Sequence, residues 1–464
     1  MQKNQLRIAK KLLGMKRFIK SRWTYVYKRG DCVALFNSKN LEIFFVDTEV
    51  VKLLSFFERP HNIDGVFVLF KENKNLKQIL DVLIKAEFLV SENKNEIREL
   101  KEQINKERNS RKREFGKFLK LNALRVVLTE RCNLNCRYCF VQKRKGETDR
   151  EDMSFTTLSR GIDLLSKLNK KGNIEIQFFG GEPLLKFELI KETVNYIKHL
   201  CKESKIKNVY YGITTNGILL TDEIAKFLKK HNFLVSVSID GWDSLHNLNR
   251  QFSNGKGSFK YTSRGLKILQ KNKNDIGILV TPTKNNVEYL AKACEYLIDK
   301  LKCKFITINT PQPINGNWDV DGRLFSQQIK KCSKVAEKYK AIINTFGTRV
   351  IYALNNKRPL IFSCSKFGNN YTATLTPDGK ISPCIVSWNS NLTPINRFDY
   401  KKSFLDWKLT PPYFFKQCLN CPSMNVCGGP CPLEIHELDR GSIPVIHERC
   451  NFFNNFLEWA IWLK

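Results

Sequence analysis

The chain has 464 residues, 42% of them hydrophobic, and its 78 Lys and Arg against 45 Asp and Glu give a formal charge of +33. That length suits two or three domains with sizeable cores, which excludes a small disulfide-stapled scaffold although 15 cysteines are present. The cations are dispersed, with one dense run at residues 108–113, so charge alone selects no partner.

Residues 1–20 are basic (Lys10, Lys11, Lys16, Lys20) and lack an apolar core with a cleavage site, so no secretory signal is expected. No stretch reaches the roughly 18 uninterrupted apolar residues of a membrane span. Grouped cysteines in such a chain read as metal ligands in a reducing cytoplasm.

Residues 22–91 form a first unit. Three short β-like runs (24–28, 32–36, 41–46) are separated by turn residues such as Gly30 and Asp31. Asp47 then caps a helix carrying Val50, Leu53, Leu54 and Phe57. A second helix carries Leu76, Ile79, Leu80, Leu83 and Ile84, and residues 88–90 read as a last strand. Residues 92–120 are strongly charged, contain one glycine (Gly116) and read as a helical linker.

From residue 121 to 315, apolar strands (124–129, 173–179, 209–215, 233–239, 276–281, 305–309) alternate with helical patterns. Such alternation predicts a parallel sheet, and six units make a partial (β/α)6 barrel with its ligand site at the strand C-terminal ends. Just past the first strand lies Cys132-x3-Cys136-x2-Cys139, with Tyr138 before the last cysteine. Three thiolates hold three irons of a four-iron cluster and leave the fourth open to an outside molecule. A zinc knuckle instead wants four ligands in paired C-x2-C spacing.

After the second strand comes Gly180-Gly181-Glu182-Pro183. The glycines permit close backbone approach to a ligand, and Glu182 offers an acceptor for an ammonium group. The third and fourth strands end in Thr214-Thr215-Asn216-Gly217 and Ser238-Ile239-Asp240-Gly241. These polar side chains suit ribose hydroxyls, and turn chemistry accounts for Asn-Gly and Asp-Gly equally well. His246 reads either as a pocket residue or as a solvated loop histidine.

The triplet, its aromatic residue and the Gly-Gly-Glu turn together resemble the radical S-adenosylmethionine (radical SAM) superfamily. The resemblance implies that Cys132, Cys136 and Cys139 hold a [4Fe-4S] cluster whose open iron takes the amino and carboxylate groups of SAM. Tyr138, Gly180, Gly181, Glu182, Asn216, Ser238, Asp240 and Arg250 are then the cofactor contacts. Glu182 is implied to hold the amine and Arg250 the carboxylate. The implied reaction is cleavage of SAM to a 5′-deoxyadenosyl radical that removes hydrogen from an unactivated carbon.

Residues 316–363 read as a helical connection. Residues 364–464 hold Cys364, Gly379-x4-Cys384, Cys418-x2-Cys421-x5-Cys427-x3-Cys431 and Cys450. This array resembles the SPASM domain, which binds two auxiliary four-iron clusters, so three [4Fe-4S] clusters are implied in all. By the family pattern Cys418, Cys421, Cys427 and Cys450 hold one. Cys364, Cys384 and Cys431 hold the other, with Cys332 the nearest cysteine that could close it. Cys32, Cys201, Cys294 and Cys303 read as structural, and the aromatic segment 452–463 as a helix docked on the catalytic domain.

The first unit, three strands followed by helices, resembles the winged-helix peptide-recognition element of maturases for ribosomally made peptides, where a leader adds a strand to the sheet edge. The whole then implies a cytoplasmic oxidoreductase that cross-links a precursor peptide through a thioether or carbon–carbon bond. Its other partner is an electron donor such as flavodoxin or ferredoxin, and no nucleic acid is expected. The alternative is anaerobic sulfatase maturation (formylglycine formation). Those relatives carry an acid directly after the Gly-x4-Cys cysteine, where this chain has Ile385. A leader-binding scaffold without catalysis is the reading from another class.

Overall fold

The computed structural model describes residues 17–70, 75–117, 121–141, 151–169, 172–203, 205–309, 313–314, 317–362, 371–382, 384–385, 393–394, 415–431 and 447–463. Cys364 lies outside the described residues.

The N-terminal unit contains β1 (Arg17–Lys20), β2 (Thr24–Arg29), β3 (Cys32–Asn37), β4 (Ile43–Val46), α1 (Thr48–Phe56), β5 (His61–Asn62), α2 (Ile63–Leu69), α3 (Leu76–Lys85) and β6 (Leu89–Ser91). Strands β2, β3 and β4 form an antiparallel meander, and Asp47 caps α1 by accepting from the Val50 N–H. The predicted last strand does not join this meander. It pairs with β1, which sits between β5 and β6 in a second sheet, so the unit begins upstream of residue 22. A strand as short as β1 carries no periodic signal to read.

The two faces of β3 go to different cores, as strand alternation requires. Leu35 packs with Leu53, Leu54 and Phe57 of the unit's own core. Ala34 and Phe36 join the main core of the molecule. The predicted linker is α4 (Glu96–Lys117). It is more than a solvated spacer, because Leu100 and Ile104 pack with Trp23 and Met424.

The main sheet uses β7 (Leu121–Val127), β8 (Asn173–Phe179), β9 (Asn208–Thr215), β10 (Phe233–Ser238), β11 (Asp275–Val280) and β12 (Phe305–Ile308). Helices α5 (Phe155–Leu168), α6 (Phe187–Lys202), α7 (Asp222–Lys230), α8 (Asp243–Asn247), α9 (Phe259–Lys271) and α10 (Leu290–Asp299) fall between them. The six strands pair in parallel and in chain order. Beyond them are a small ladder of β13 (Pro313–Ile314) and β14 (Asn317–Trp318), helices α11 (Gly322–Tyr339) and α12 (Phe346–Asn355), and β15 (Ile342–Asn344). Then come β16 (Tyr371–Leu375), β17 (Lys380–Ser382), β18 (Thr393–Pro394), α13 (Met424–Cys427) and α14 (His447–Ile461).

The sequence predicts six parallel strands, whereas the sheet has ten, in the order β15-β12-β11-β10-β9-β8-β7-β16-β17-β18. The strand β15 lies in the predicted helical connection and adds in parallel to β12. From the C-terminal region β16 adds in parallel to β7, and β17 and β18 follow antiparallel. Each of these strands has five residues or fewer, too few for a period-two pattern to stand out.

Helix α14 forms in the aromatic tail, but it docks on α11 and α12 of the predicted connection, not on the barrel helices. Phe452, Phe453 and Phe456 are buried, and Phe452 meets Phe325 of α11 at 5.0 Å and Phe346 of α12 at 6.2 Å between ring centroids. Among the described residues no helix is long and apolar enough to cross a membrane.

One turn of this sheet shows how tightly the site is built. Gly217 has φ +78, Thr262 of α9 donates to the Asn216 carbonyl at 2.9 Å, and a Cβ on Gly265 would overlap the Gly217 carbonyl. Gly265→Ala therefore forces α9 away from the turn at a cost of about 1–3 kcal/mol, which urea unfolding should show as a lower midpoint with an unchanged slope.

Candidate active site

A cavity of about 400 Å³ opens at the C-terminal ends of the strands. Its wall takes in Arg125 from β7 and Thr307 from β12. These strands are five positions apart in the sheet, about 24 Å if the sheet were flat, so the sheet curls around the cavity.

Cys132, Cys136, Cys139, Tyr138, Gly180, Gly181, Asn216, Ser238 and Arg250 all line this cavity. The cysteine loop leaves β7 and is pinned at both flanks. Asn135 and Arg137 donate backbone N–H groups to the Gln251 and Asn249 carbonyls at 2.7 and 2.9 Å. Burial pushes the Cys132 thiol up to about 12, with the Glu182 carboxylate adding to the effect. It pushes the Cys136 thiol up to about 11 against the opposing Arg250 charge. Such thiols give up their protons only to a bound cation or cluster.

The Gly-Gly turn serves a structural purpose not read from the sequence. Gly180 has φ +149, and side chains on Gly180 and Gly181 would overlap the Thr129 and Arg131 carbonyls. Gly181 and Glu182 donate their N–H groups to those carbonyls at 2.8 and 2.9 Å. The glycines thus let the end of β8 lie against the base of the cysteine loop.

Two predicted contacts stand behind the cavity wall. Glu182 is fully buried and does not present a free acceptor to the cavity. Its carboxylate accepts from the Leu184 N–H (3.1 Å), the Thr215 hydroxyl (2.7 Å) and the Asn216 N–H (2.8 Å). Burial raises its pKa to about 7. Asp240 is also fully buried. It accepts from Arg250 Nε at 2.8 Å, the Tyr138 hydroxyl at 2.9 Å and the Thr281 N–H at 3.0 Å. The Arg250 guanidinium lies 5.2 Å from the Tyr138 ring centroid, so its charge is already matched within the protein.

His246 is neither solvated nor in the cavity wall. It is fully buried; its Nδ1 accepts from the Asp240 N–H at 3.4 Å and its Nε2 sits 3.0 Å from Ser258 Oγ. Ser258 donates to the Arg250 carbonyl, which makes the histidine the donor in the Nε2 contact and keeps it neutral. Burial and the nearby Arg250 charge lower its pKa to about 3.

The sequence reading missed Arg125, Gln177, Thr281, Thr307 and Asn309, which line the cavity together with Ile385. The alternation of β8 and β12 carries the signal for Gln177 and Thr307, since each lies on the strand face opposite the buried aliphatics, whereas Arg125 shares its face of β7 with buried Leu121, Ala123 and Val127 and has no such signal. Ile385 reaches the cavity because β16 pairs with β7.

A second cavity is lined by Cys418, Cys421, Cys427 and Cys450, with Arg449 and Phe453 beside them. Burial and neighbouring thiols push Cys418 up to about 12 and Cys421 up to about 11. Cys332, the candidate for closing the other cluster, is buried between α10 and α11, with its sulfur 3.9 Å from that of Cys294. Among the described residues no three Cys, His, Asp or Glu side chains converge as a single metal ion requires. The thiols line open cavities instead, and such donor sets fit the thiolate ligation of a four-iron cluster.

A family model described as Radical SAM superfamily matches residues 126–297. An uncharacterised protein of Methanocaldococcus jannaschii is 38% identical over 236 residues, covering 50% of this chain and 74% of that protein. The chain belongs to the radical SAM superfamily. It is a SAM-dependent enzyme of a family that uses a [4Fe-4S] cluster. The radical SAM cyclopropyl synthase TigE of Paramaledivibacter caminithermalis is 27% identical, and the match spans 60% of each chain. A cysteine-type anaerobic sulfatase-maturating enzyme of Clostridium perfringens is 28% identical across 71% of this chain and 93% of its own length. Among solved structures, Streptococcus suis SuiB bound to precursor peptide SuiA shares the fold, with TM-score 0.50 and 17% identity over 93% of this chain and 99% of that one.

The buried histidine gives this radical SAM enzyme a defined pH response. The folded-state pKa of His246 is below its unfolded value, so its contribution to stability is complete above about pH 6.5 and is lost as pH falls toward about 3. Urea midpoints of wild type and His246→Gln should lie furthest apart above pH 6.5 and approach one another on acidification.

Proposed function

We propose that the chain is a radical SAM peptide maturase that cross-links a ribosomally made precursor. The observation that carries the reading is Ile385 in the wall of the cavity that also holds Cys132, Cys136 and Cys139. The sulfatase-maturating alternative calls for a proton-accepting acid at that position, and among the described residues no Asp or Glu lines the cavity.

Cys132, Cys136 and Cys139 would hold the cluster. Together with SAM it would supply a carbon-centred hydrogen abstractor by one-electron reductive cleavage. The chain's own residues orient and shield. Tyr138 and Arg250 are fixed by Asp240. Asn216 Nδ2 donates to Asn133 at 2.7 Å beside Cys132. Phe140, Phe179, Leu279 and Ile385 give the cavity an apolar side that excludes water from reactive species.

Cys418, Cys421, Cys427 and Cys450 would hold one auxiliary cluster. A second would draw on Cys384, Cys431 and Cys364, making three in all. The N-terminal unit would bind the leader, and it abuts the auxiliary region directly. Tyr25 donates to the Asn420 carbonyl at 3.1 Å and Asn425 to the Ser38 carbonyl at 2.9 Å. The electron source would be a one-electron donor of the flavodoxin or ferredoxin kind. The SuiB structure, bound to its precursor peptide SuiA, supports a peptide substrate.

Co-expression with each short open reading frame found beside the gene tests the reading by mass spectrometry. One of the encoded peptides should lose two hydrogens for each cross-link, and Cys132→Ala should abolish the change. No change in any of them with the wild-type enzyme, or formylglycine formed in a sulfatase peptide, would overturn it.

A further inference from the structure

The cavity wall carries two guanidinium groups, and they are not equivalent. Arg250 is neutralised by Asp240. Arg125 points inward from the middle of β7, opposite Gln177 of β8 and Thr374 of β16 in register. Its Nε donates to Gln177 Oε1 at 3.0 Å. That bond occupies the amide oxygen of Gln177 and turns its NH2 group, with both terminal nitrogens of Arg125, into unmatched donors. Among the described residues no carboxylate lines the cavity to receive them.

We propose that Arg125, oriented by Gln177, recognises a carboxylate on the substrate, either an acidic side chain or a chain end. The assignment rests on the peptide reading above. A substrate that fills the cavity strips water from Arg125, and a desolvated guanidinium without an anion is strongly disfavoured. A carboxylate matches the planar fork of arginine in two parallel hydrogen bonds. The cation acting on Cys136 is Arg250, not Arg125. The place of Arg125 on a central strand, flanked by β8 and β16, makes it a rigid reference point. It would set which carbon of the substrate faces the reacting end of the cavity.

The test uses the full-length protein, reconstituted without oxygen and saturated with SAM. It is offered pools of C-terminally amidated octapeptides, randomised in sequence, with one Glu per peptide in the first pool and Gln in its place in the second. A third pool has the Gln composition with a free C-terminus. Retained peptides are quantified by mass spectrometry. The Glu pool, the free-terminus pool or both should be retained about tenfold over the amidated Gln pool, the scale of one charge-assisted pair. Arg125→Gln should abolish the preference, Arg125→Lys should restore part of it, and SAM binding should stay within about twofold in both variants.

Equal retention of all pools, or a preference that survives Arg125→Gln, overturns the assignment. So does a loss of SAM affinity as large as the loss of peptide, which would put Arg125 on the cofactor. If no pool is retained, saturation-transfer NMR with N-acetylglutamate and N-acetylglutamine decides. An Arg125-dependent preference for the glutamate keeps the carboxylate assignment and removes the peptide reading; equal signals remove the assignment.

Discussion

The Asp240 carboxylate is the point where the separate parts of the active site meet. It is buried at the end of β10 and accepts from Tyr138 in the cysteine loop, from Arg250 after α8 and from the backbone at Thr281 after β11. A buried carboxylate is tolerable only when such partners surround it, so each segment is held where the others need it. Arg250 in turn stacks over Tyr138, and His246 accepts the N–H of Asp240 itself. The cysteine loop, which belongs to no regular element, thereby acquires the rigidity of the sheet below it.

A second network performs the same task on the other side of the cavity. Glu182 receives donors from Leu184, Thr215 and Asn216, tying the end of β8 to the end of β9. The two buried acids belong to the binding motifs, yet neither lines the cavity itself. Motif residues of this kind hold the walls of a site, and neutral groups such as Ser238 and Thr214 are left to face the ligand.

Much of this was legible before the coordinates. The cysteine spacings mark their loops because few other arrangements place several sulfurs so close in sequence. The six long strands of the sheet show as apolar runs between helical patterns. Short elements were not legible: β1, β15 and β16 owe their conformation to the partner strands they pair with, not to their own pattern. The direction in which Glu182 and Asp240 point was equally hidden, since a motif fixes position along the chain and not orientation across it. Arg125 was overlooked because a lone cation inside an apolar strand reads as an edge or surface residue. Only the curl of the sheet turns it into a cavity residue.

The pairing of β16 with β7 joins Tyr371 to Leu121, positions 250 residues apart in the chain. On the ribosome β7 therefore emerges long before the neighbour that covers its outer edge exists. A nascent sheet with an unpaired apolar border is prone to stick to other chains, and contacts this distant in sequence form slowly. The enzyme must pass through an interval of vulnerability at each synthesis, ending only when its last hundred residues have folded back against its first catalytic strand.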